Sequence, residues 1–314
     1  MSHPILGLHH VTATVDDAQD DIDFAAGALG LRLVKRTVNF DNHRVYHFYY
    51  GNEEGTPGTI WTTFPYRGHG VPVGRRGSGQ ITSTAFSVPT GTLEFWRVRL
   101  AKHSVAVTDA EERFGETVII CSDSSGLEFE LIANRHDHRS GWTAGEITND
   151  FAIRGLHSIT MVVKELGPTL EFMTGMLGYH VIEQSGARTR VGVHGGGPGR
   201  CIDVVVDAHA APGVNGLGTV HHVAMSVATA EQQLAVRQRL LDGGFRVTEV
   251  RDRCYFTSIY FREPGGVLFE IATAGPGFGI DEEADHLGEA LRLPSWEEPN
   301  RELIERGLSA IVVP

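Results

Sequence analysis

The chain has 314 residues, of which 41% are hydrophobic and 21% are charged, a composition typical of a globular protein with a sizeable core. Its formal net charge of −12 argues against nucleic acid as a partner, because the phosphate backbone would be repelled. No run reaches the roughly 18 apolar residues of a membrane span, and the three cysteines form no C-x-x-C pair, so we expect a cytoplasmic protein without membrane contact or a disulfide framework.

The chain repeats one pattern four times. In the first repeat, Asp16 or Asp17 can cap a helix that follows a strand-like run. In the fourth repeat, a helix is expected to begin near Thr229, and residues 245–248 are expected to form the next strand. Each repeat therefore reads β-α-β-β-β. The alternating runs that open the four repeats are residues 8–15, 80–88, 156–163 and 220–227.

These repeats predict an α+β fold of four βαβββ modules that form two cupped, barrel-like mixed sheets. Residues 281–314 hold nine acidic residues and three arginines, so we expect the end of the chain to be a solvated surface. The expected parts are module 1 (1–66, metal-binding), module 2 (80–136), module 3 (153–212), module 4 (219–275, metal-binding) and an acidic C-terminal tail (276–314).

A doubled His-His occurs in the first strands of modules 1 and 4, as Leu8-His9-His10-Val11 and Val220-His221-His222-Val223. The last strand of module 4 carries Glu270. Two histidines and one carboxylate form a facial triad, which leaves coordination positions open on Fe(II). We predict that His10, His222 and Glu270 bind one metal ion.

Aligning the first strands places Ser83 and Ser158 of modules 2 and 3 at the position of the two ligand histidines. Serine cannot complete a metal site with Glu130, which aligns with Glu270. We therefore expect one metal ion per chain, with module 1 paired with module 4 and module 2 with module 3. An alternative is that modules 3 and 4 pair, which would bring His157 to His222 and Glu270.

Other residues near the predicted site have two interpretations. Strand alternation turns His9 and His221 to the opposite face from the ligands, unless the strands bulge. The turn at Pro264-Gly265-Gly266 sets Tyr260 opposite Glu270, either as a proton donor beside the metal or as a packing partner. Arg253 can bind an anionic oxygen, or it can form a surface ion pair.

The four modules, the paired Leu/Val-His-His-Val motifs and the run from Tyr260 to Ala272 resemble the ring-cleaving dioxygenases of the vicinal oxygen chelate (glyoxalase/extradiol) superfamily. They look most like its hydroquinone-cleaving branch. The resemblance covers nearly the whole chain. It implies that His10, His222 and Glu270 are iron ligands, and that His9, Thr12, His221, Arg253 and Tyr260 assist around them.

The resemblance implies Fe(II), or Mn(II), as the cofactor, with a small aromatic diol and dioxygen as substrates and a possible homo-oligomer. It implies that the Tyr, His and Arg groups favour deprotonation of the diol and hold its ring. Two alternatives stay open. One is a glyoxalase-like isomerase or lyase, whose site normally offers a second carboxylate, and the other is a non-catalytic protein that binds an aromatic ligand.

Overall fold

The computed structural model describes residues 3–109 and 112–313. Within these residues the strands form two eight-stranded mixed sheets. The first sheet contains modules 1 and 4, and the second contains modules 2 and 3. The predicted α+β fold and the predicted pairing of modules are therefore confirmed. Five residues lie outside this description: residues 1–2 of module 1, residues 110–111 of module 2 and residue 314 of the tail.

The elements follow the β-α-β-β-β order, with a π-helix continuing the first helix. Module 1 contains β1 (Gly7–Val15), α1 (Ala18–Ile22), the π-helix (Asp23–Ala28), β2 (Arg32–Asn39), β3 (Asn42–Gly51) and β4 (Ile60–Pro65). Module 2 contains β5 (Gln80–Val88), α2 (Leu93–Lys102), β6 (Val107–Asp109), β7 (Val118–Ser122) and β8 (Glu128–Ala133). Module 3 contains β9 (Gly155–Val163), α3 (Leu166–Met176), β10 (His180–Ser185), β11 (Arg188–Gly192) and β12 (Cys201–Val206). Module 4 contains β13 (Thr219–Val227), α4 (Ala230–Asp242), β14 (Arg251–Asp252), β15 (Phe256–Arg262) and β16 (Leu268–Pro276), and the tail contains α5 (Arg301–Gly307).

The first sheet has the order β14-β15-β16-β13-β1-β4-β3-β2, and the second has the order β10-β11-β12-β9-β5-β8-β7-β6. In each sheet the opening strands of the two modules are antiparallel neighbours at the centre. We call the concave side of the first sheet the first cup and that of the second sheet the second cup. The outward-facing residues of β1, such as Val11, Ala13 and Val15, are fully buried in the common apolar core.

Local sequence signals explain where the helices begin. The Asp17 carboxylate accepts hydrogen bonds from the main-chain N–H groups of Gln19 and Asp20, and the Thr229 hydroxyl accepts one from Gln232. Each bond satisfies a donor that the first turn of a helix leaves free. Both predicted helix starts are therefore seen.

The predicted strand over residues 245–248 is wrong. These residues, which the structure describes, form only an isolated bridge from Val247 to Phe261. The main-chain N–H of Tyr260 donates to the side-chain Oγ1 of Thr248, so a side chain takes the place of a ladder carbonyl. The edge strand of module 4 forms later, as β14.

The tail differs from the expected solvated surface. Phe278, Leu287 and Ile304 are almost completely buried against module 1. Lys35 of β2 is fully buried and forms ion pairs with Asp281 and Glu282. Acidic composition alone did not reveal that part of this charge is matched by a buried lysine. No helix among residues 3–109 and 112–313 combines the length and apolar character needed to cross a membrane.

Candidate metal centre

His10, His222 and Glu270 meet on the floor of the first cup. On the central strands, His10 and Glu270 both pair with Ala224, from opposite sides of β13, so they lie in one row of the sheet. The Nε2 atoms of His10 and His222 are 3.2 Å apart, and they lie 3.4 and 2.8 Å from Oε2 of Glu270. The structure thus brings together the three residues that the sequence pattern selected as ligands.

The chemistry of this group fits a divalent cation. Glu270 is fully buried, and its Oε2 atom accepts no well-formed hydrogen bond from any described residue. A buried carboxylate oxygen without a donor is costly, and a bound cation would satisfy it. Burial opposes ionisation of Glu270, but the charges of His10 and His222 outweigh burial and hold the pKa of this carboxyl well below its ordinary value.

Two β-bulges turn the flanking histidines toward the ligands. In the β1–β13 ladder, Leu8 pairs with Met225 and His10 with Ala224, which leaves His9 as an extra residue. Likewise Thr12 pairs with His222 and Ala13 with Val220, which leaves His221 unpaired. A bulge breaks the alternation of side chains between faces. Of the two alternatives that the sequence left open for His9 and His221, the strands show the bulged one.

Each flanking histidine holds the ring of its neighbour. Nδ1 of His9 lies 2.9 Å from Nδ1 of His10, and Nδ1 of His221 lies 2.8 Å from Nδ1 of His222. The Thr273 carbonyl can only accept, so Nε2 of His9 carries the hydrogen and its Nδ1 accepts from Nδ1–H of His10, which leaves the Nε2 lone pair of His10 for a metal ion. Burial, with a smaller contribution from the neighbouring ring, lowers the pKa of both His9 and His221 to about 3, so both rings are neutral near neutral pH.

A cavity of about 250 Å³ opens above the three ligands. Tyr260 pairs with Glu270 across the β15–β16 hairpin, as the turn predicted, and Nε of Arg253 donates to the Tyr260 hydroxyl at 3.0 Å. Arg253 also lies 3.4 Å from Asp41 at the cavity mouth. Burial raises the pKa of Tyr260 despite the nearby guanidinium. Thus Arg253 has both an ion pair and a position beside the cavity.

The predicted assisting residues do not all line the cavity. Thr12, His221, Arg253 and Tyr260 do, whereas His9 lies behind His10, packed against Phe256, with its Nε2 3.2 Å from the carbonyl oxygen of Thr273. Several further residues line the cavity, and the sequence pattern alone could not assign a role to them. These include His47, Tyr49, Phe64 and Phe256.

The alternative ligand His157 lies in the second cup. Its Nε2 is 2.8 Å from Glu116 and its Nδ1 is 3.0 Å from the hydroxyl of Ser158. Module 3 pairs with module 2 rather than module 4, so His157 cannot join His222 and Glu270. Like His9 and His221, His157 is the extra residue of a bulge.

Comparison with known proteins agrees with this architecture. Residues 155–271 match the family described as the Glyoxalase/Bleomycin resistance protein/Dioxygenase superfamily. The chain is 42% identical to MhqO of Bacillus subtilis, named as a proposed ring-cleaving dioxygenase, over 98% of this chain and 97% of that protein. It is 37% identical to the chlorohydroquinone/hydroquinone 1,2-dioxygenase of Sphingobium indicum, over 98% and 97% of the two chains.

A solved structure extends the likeness to three dimensions. The crystal structure of a proposed dioxygenase from Bacillus subtilis superposes with a TM-score of 0.95 at 42% identity and covers 100% of this chain and 99% of that one. Identity of this level over whole chains carries both the fold and the family. The chain therefore belongs to the ring-cleaving dioxygenases of the glyoxalase/dioxygenase superfamily, a metal-dependent group.

Proposed function

We propose that this protein is an Fe(II)-dependent dioxygenase that cleaves the ring of a hydroquinone or catechol-type diol and incorporates both atoms of dioxygen. The observation that carries the proposal is the convergence of His10, His222 and Glu270 beneath a cavity of about 250 Å³. Support comes from the relatives, since one that is 37% identical along its length is named for hydroquinone and chlorohydroquinone.

In this proposal His10, His222 and Glu270 hold the metal. A two-histidine, one-carboxylate set is typical of non-haem iron, and Mn(II) suits the same ligands less commonly. When bound, the metal supplies a binding place for the diol and dioxygen together and the redox chemistry between them. The bulged residues His9 and His221 keep the two ligand rings in the tautomer that binds through Nε2.

Tyr260 and Arg253 act on the substrate hydroxyl. The Tyr260 phenol is an acid close to the row of ligands, because Tyr260 pairs with Glu270 and its ring centroid lies 5.7 Å from that of His222. The Arg253 guanidinium donates to the phenolic oxygen and adds a positive charge beside the cavity. Together they favour the deprotonated form of the diol and hold a proton for return to the product.

The remaining walls bind the ring and exclude water. Phe256 packs against both His9 and His10 with ring centroids 4.9 and 5.2 Å apart. Phe64 and Tyr49 lie on the opposite strands of the cup. An aromatic substrate fits such walls, because flat apolar rings bury area against one another. Thr12 adds a hydroxyl at the base of the cavity.

A glyoxalase-like reaction has less support. Glu270 pairs with Ala224, which lies two positions after the ligand His222. In module 1, Thr12 lies two positions after the ligand His10, and it pairs with Thr62. A threonine therefore stands where a glyoxalase-like site would offer its second carboxylate. A purely binding role has less support too, because such a protein has no need of a buried carboxylate oxygen, Glu270 Oε2, that accepts no well-formed hydrogen bond.

The test is oxygen consumption by protein purified without oxygen and then loaded with Fe(II). Addition of methylhydroquinone or catechol should start dioxygen uptake, with one dioxygen consumed per ring opened. Protein loaded with Zn(II) serves as the control and should show no uptake, because zinc has no redox chemistry. Absence of uptake with every diol, together with turnover of a thiohemiacetal, would replace this proposal with the glyoxalase-like one.

A further inference from the structure

His47 is a polar residue of the cavity that no sequence motif picked out. It lies on β3 and lines the cavity opposite Tyr260. Its ring is held between two aromatic neighbours, with centroids 4.0 Å from Tyr49 and 4.2 Å from Phe64. His47 thus places ring nitrogens in an otherwise aromatic part of the cavity wall.

A hydrogen-bonded chain fixes the orientation of the His47 ring. Nε2 of His47 lies 2.7 Å from the Thr62 hydroxyl, which lies 3.3 Å from the Thr12 hydroxyl. Both threonines are fully buried. Within residues 3–109 and 112–313, His47 makes no other side-chain hydrogen bond, which leaves its Nδ1 available to a ligand.

The second cup contains an ion-paired counterpart of this arrangement. Arg188 occupies the position of His47, because Arg188 lies two residues before Arg190, the partner of Asp203, and His47 lies two residues before Tyr49, the partner of Thr62. Arg188 bonds Asp203 at 3.1 Å and Thr160 at 2.9 Å, which correspond to Thr62 and Thr12. In the second cup, the charged Arg188 side chain is thus hydrogen-bonded to both of its neighbours. In the first cup, the corresponding group is an imidazole that bonds only to Thr62, so one ring nitrogen of His47 makes no hydrogen bond to a described residue.

We propose that His47 binds the substrate hydroxyl that is remote from the metal, and so selects diols whose second oxygen reaches across the ring. This inference rests on the proposed function, because it takes the first hydroxyl to lie beside His10, His222 and Glu270. Either tautomer of His47 suits the role, since a hydroxyl both donates and accepts. The chain through Thr62 and Thr12 positions the ring.

The test compares two ligands that differ only at the far end of the ring. Hydroquinone carries the second hydroxyl, and 4-methylphenol has a methyl group in its place. Protein loaded with Fe(II) is titrated with each under strict exclusion of oxygen, so that binding is measured by calorimetry without turnover. The variant His47→Leu removes the hydrogen bond to the far hydroxyl of the ligand. Thr62→Val removes the hydrogen bond that orients the His47 ring, while valine keeps the shape of the threonine side chain. His43→Leu, which changes a half-exposed histidine of the same strand, is the matched control.

His47→Leu should weaken hydroquinone binding about three- to tenfold, the value of one net hydrogen bond, and leave 4-methylphenol within about twofold. Thr62→Val should give a smaller loss of the same selectivity, and it carries the test if the leucine variant does not fold. His43→Leu should bind both ligands as the wild type does. If His47→Leu weakens binding of both ligands equally, or of neither, the role of His47 is overturned. Oxygen uptake by the wild type in that case would leave the proposed function standing. A wild type that binds neither phenol and consumes no oxygen would overturn both.

Discussion

The two cups have the same strands in the same registers and opposite electrostatics. In the first cup, two histidines and one carboxylate share a small space, and no arginine or lysine among the described residues forms an ion pair with Glu270. In the second cup, serines replace the histidines, and three arginines cover three carboxylates. The ion pairs are Arg113–Glu130, Arg190–Glu116, Arg190–Asp203 and Arg188–Asp203.

The backbone positions are equivalent in the two cups, so the difference in charge and function comes from the side chains at those positions. Glu130 occupies the place of Glu270, and both pair with the residue two positions after the first-strand Ser or His. With Ser83 beside it, Glu130 has no nitrogen ligands as neighbours, and Arg113 supplies its positive charge instead. We infer that the first cup binds an external cation, whereas arginine side chains already neutralise the carboxylates of the second cup.

The strongest challenge to this comparison is the removal of a ligand from the first cup. His222→Ala should abolish Fe(II) binding and oxygen uptake, because two remaining groups cannot hold the ion against water. Metal content by atomic emission and uptake with methylhydroquinone are the measurements. A variant that keeps full metal content would exclude His222 as a ligand.

Breaking the second cup should instead affect stability. Asp203→Asn leaves the buried Arg190 and the half-buried Arg188 without their shared partner, and we expect a loss of about 3–5 kcal/mol in the free energy of unfolding. Urea unfolding of the metal-free protein measures it. The control Glu128→Gln breaks an exposed pair with Arg76 and should cost less than about 1 kcal/mol. Reduced metal affinity in folded Asp203→Asn would contradict the separation of roles.

The pH dependence of stability should also reveal the second cup. Burial opposes ionisation of Glu116, but His157 and Arg190 outweigh it and lower its pKa from 4.5 to about 2. A depressed carboxyl pKa stabilises the fold above the unfolded value, and that contribution is lost as pH falls from about 4.5 toward 2. The wild type should exceed Glu116→Gln by up to about 3 kcal/mol at pH 7, and the gap should close below pH 4.5. A gap that is independent of pH would show that the charge of Glu116 has no such role.

The smallest expected change comes from a residue that only orients a ligand. His221→Ala removes the acceptor of the His222 Nδ1–H, and we expect Fe(II) affinity to fall about 10- to 100-fold with the site intact. A competition titration with a chelator measures it. The matched variant His157→Ala alters the same position in the second cup and should leave Fe(II) affinity unchanged. Equal effects of the two substitutions would show that neither cup is specialised.

The sequence predicted the fold and the three converging residues because both depend on repetition. Aligned first strands distinguished His10 and His222 from Ser83 and Ser158, and the hairpin turn set Tyr260 opposite Glu270. The sequence left open which way His9 and His221 face, since a bulge adds one residue without a local signal. His47 was not assigned, because its function depends on partners from β1 and β4 rather than on its neighbours in the chain.

The tail marks a further limit of prediction from pattern. Its acidic residues suggested a solvated surface, but Lys35 lies in β2 about 250 residues earlier and pairs with Asp281 and Glu282. Such a distant pairing leaves no periodic trace in one sequence. A charged residue within the strand pattern of β2 was the only hint that a partner was needed.

Anomalous diffraction from crystals of the Fe(II)-loaded protein tests the central claim most directly. Data collected on both sides of the iron absorption edge should show one iron per chain, bonded to His10 Nε2, His222 Nε2 and Glu270 Oε2. The second cup should contain no iron. Iron among Glu130, Asp203 and Glu116, or no iron between the two histidines, would contradict the account.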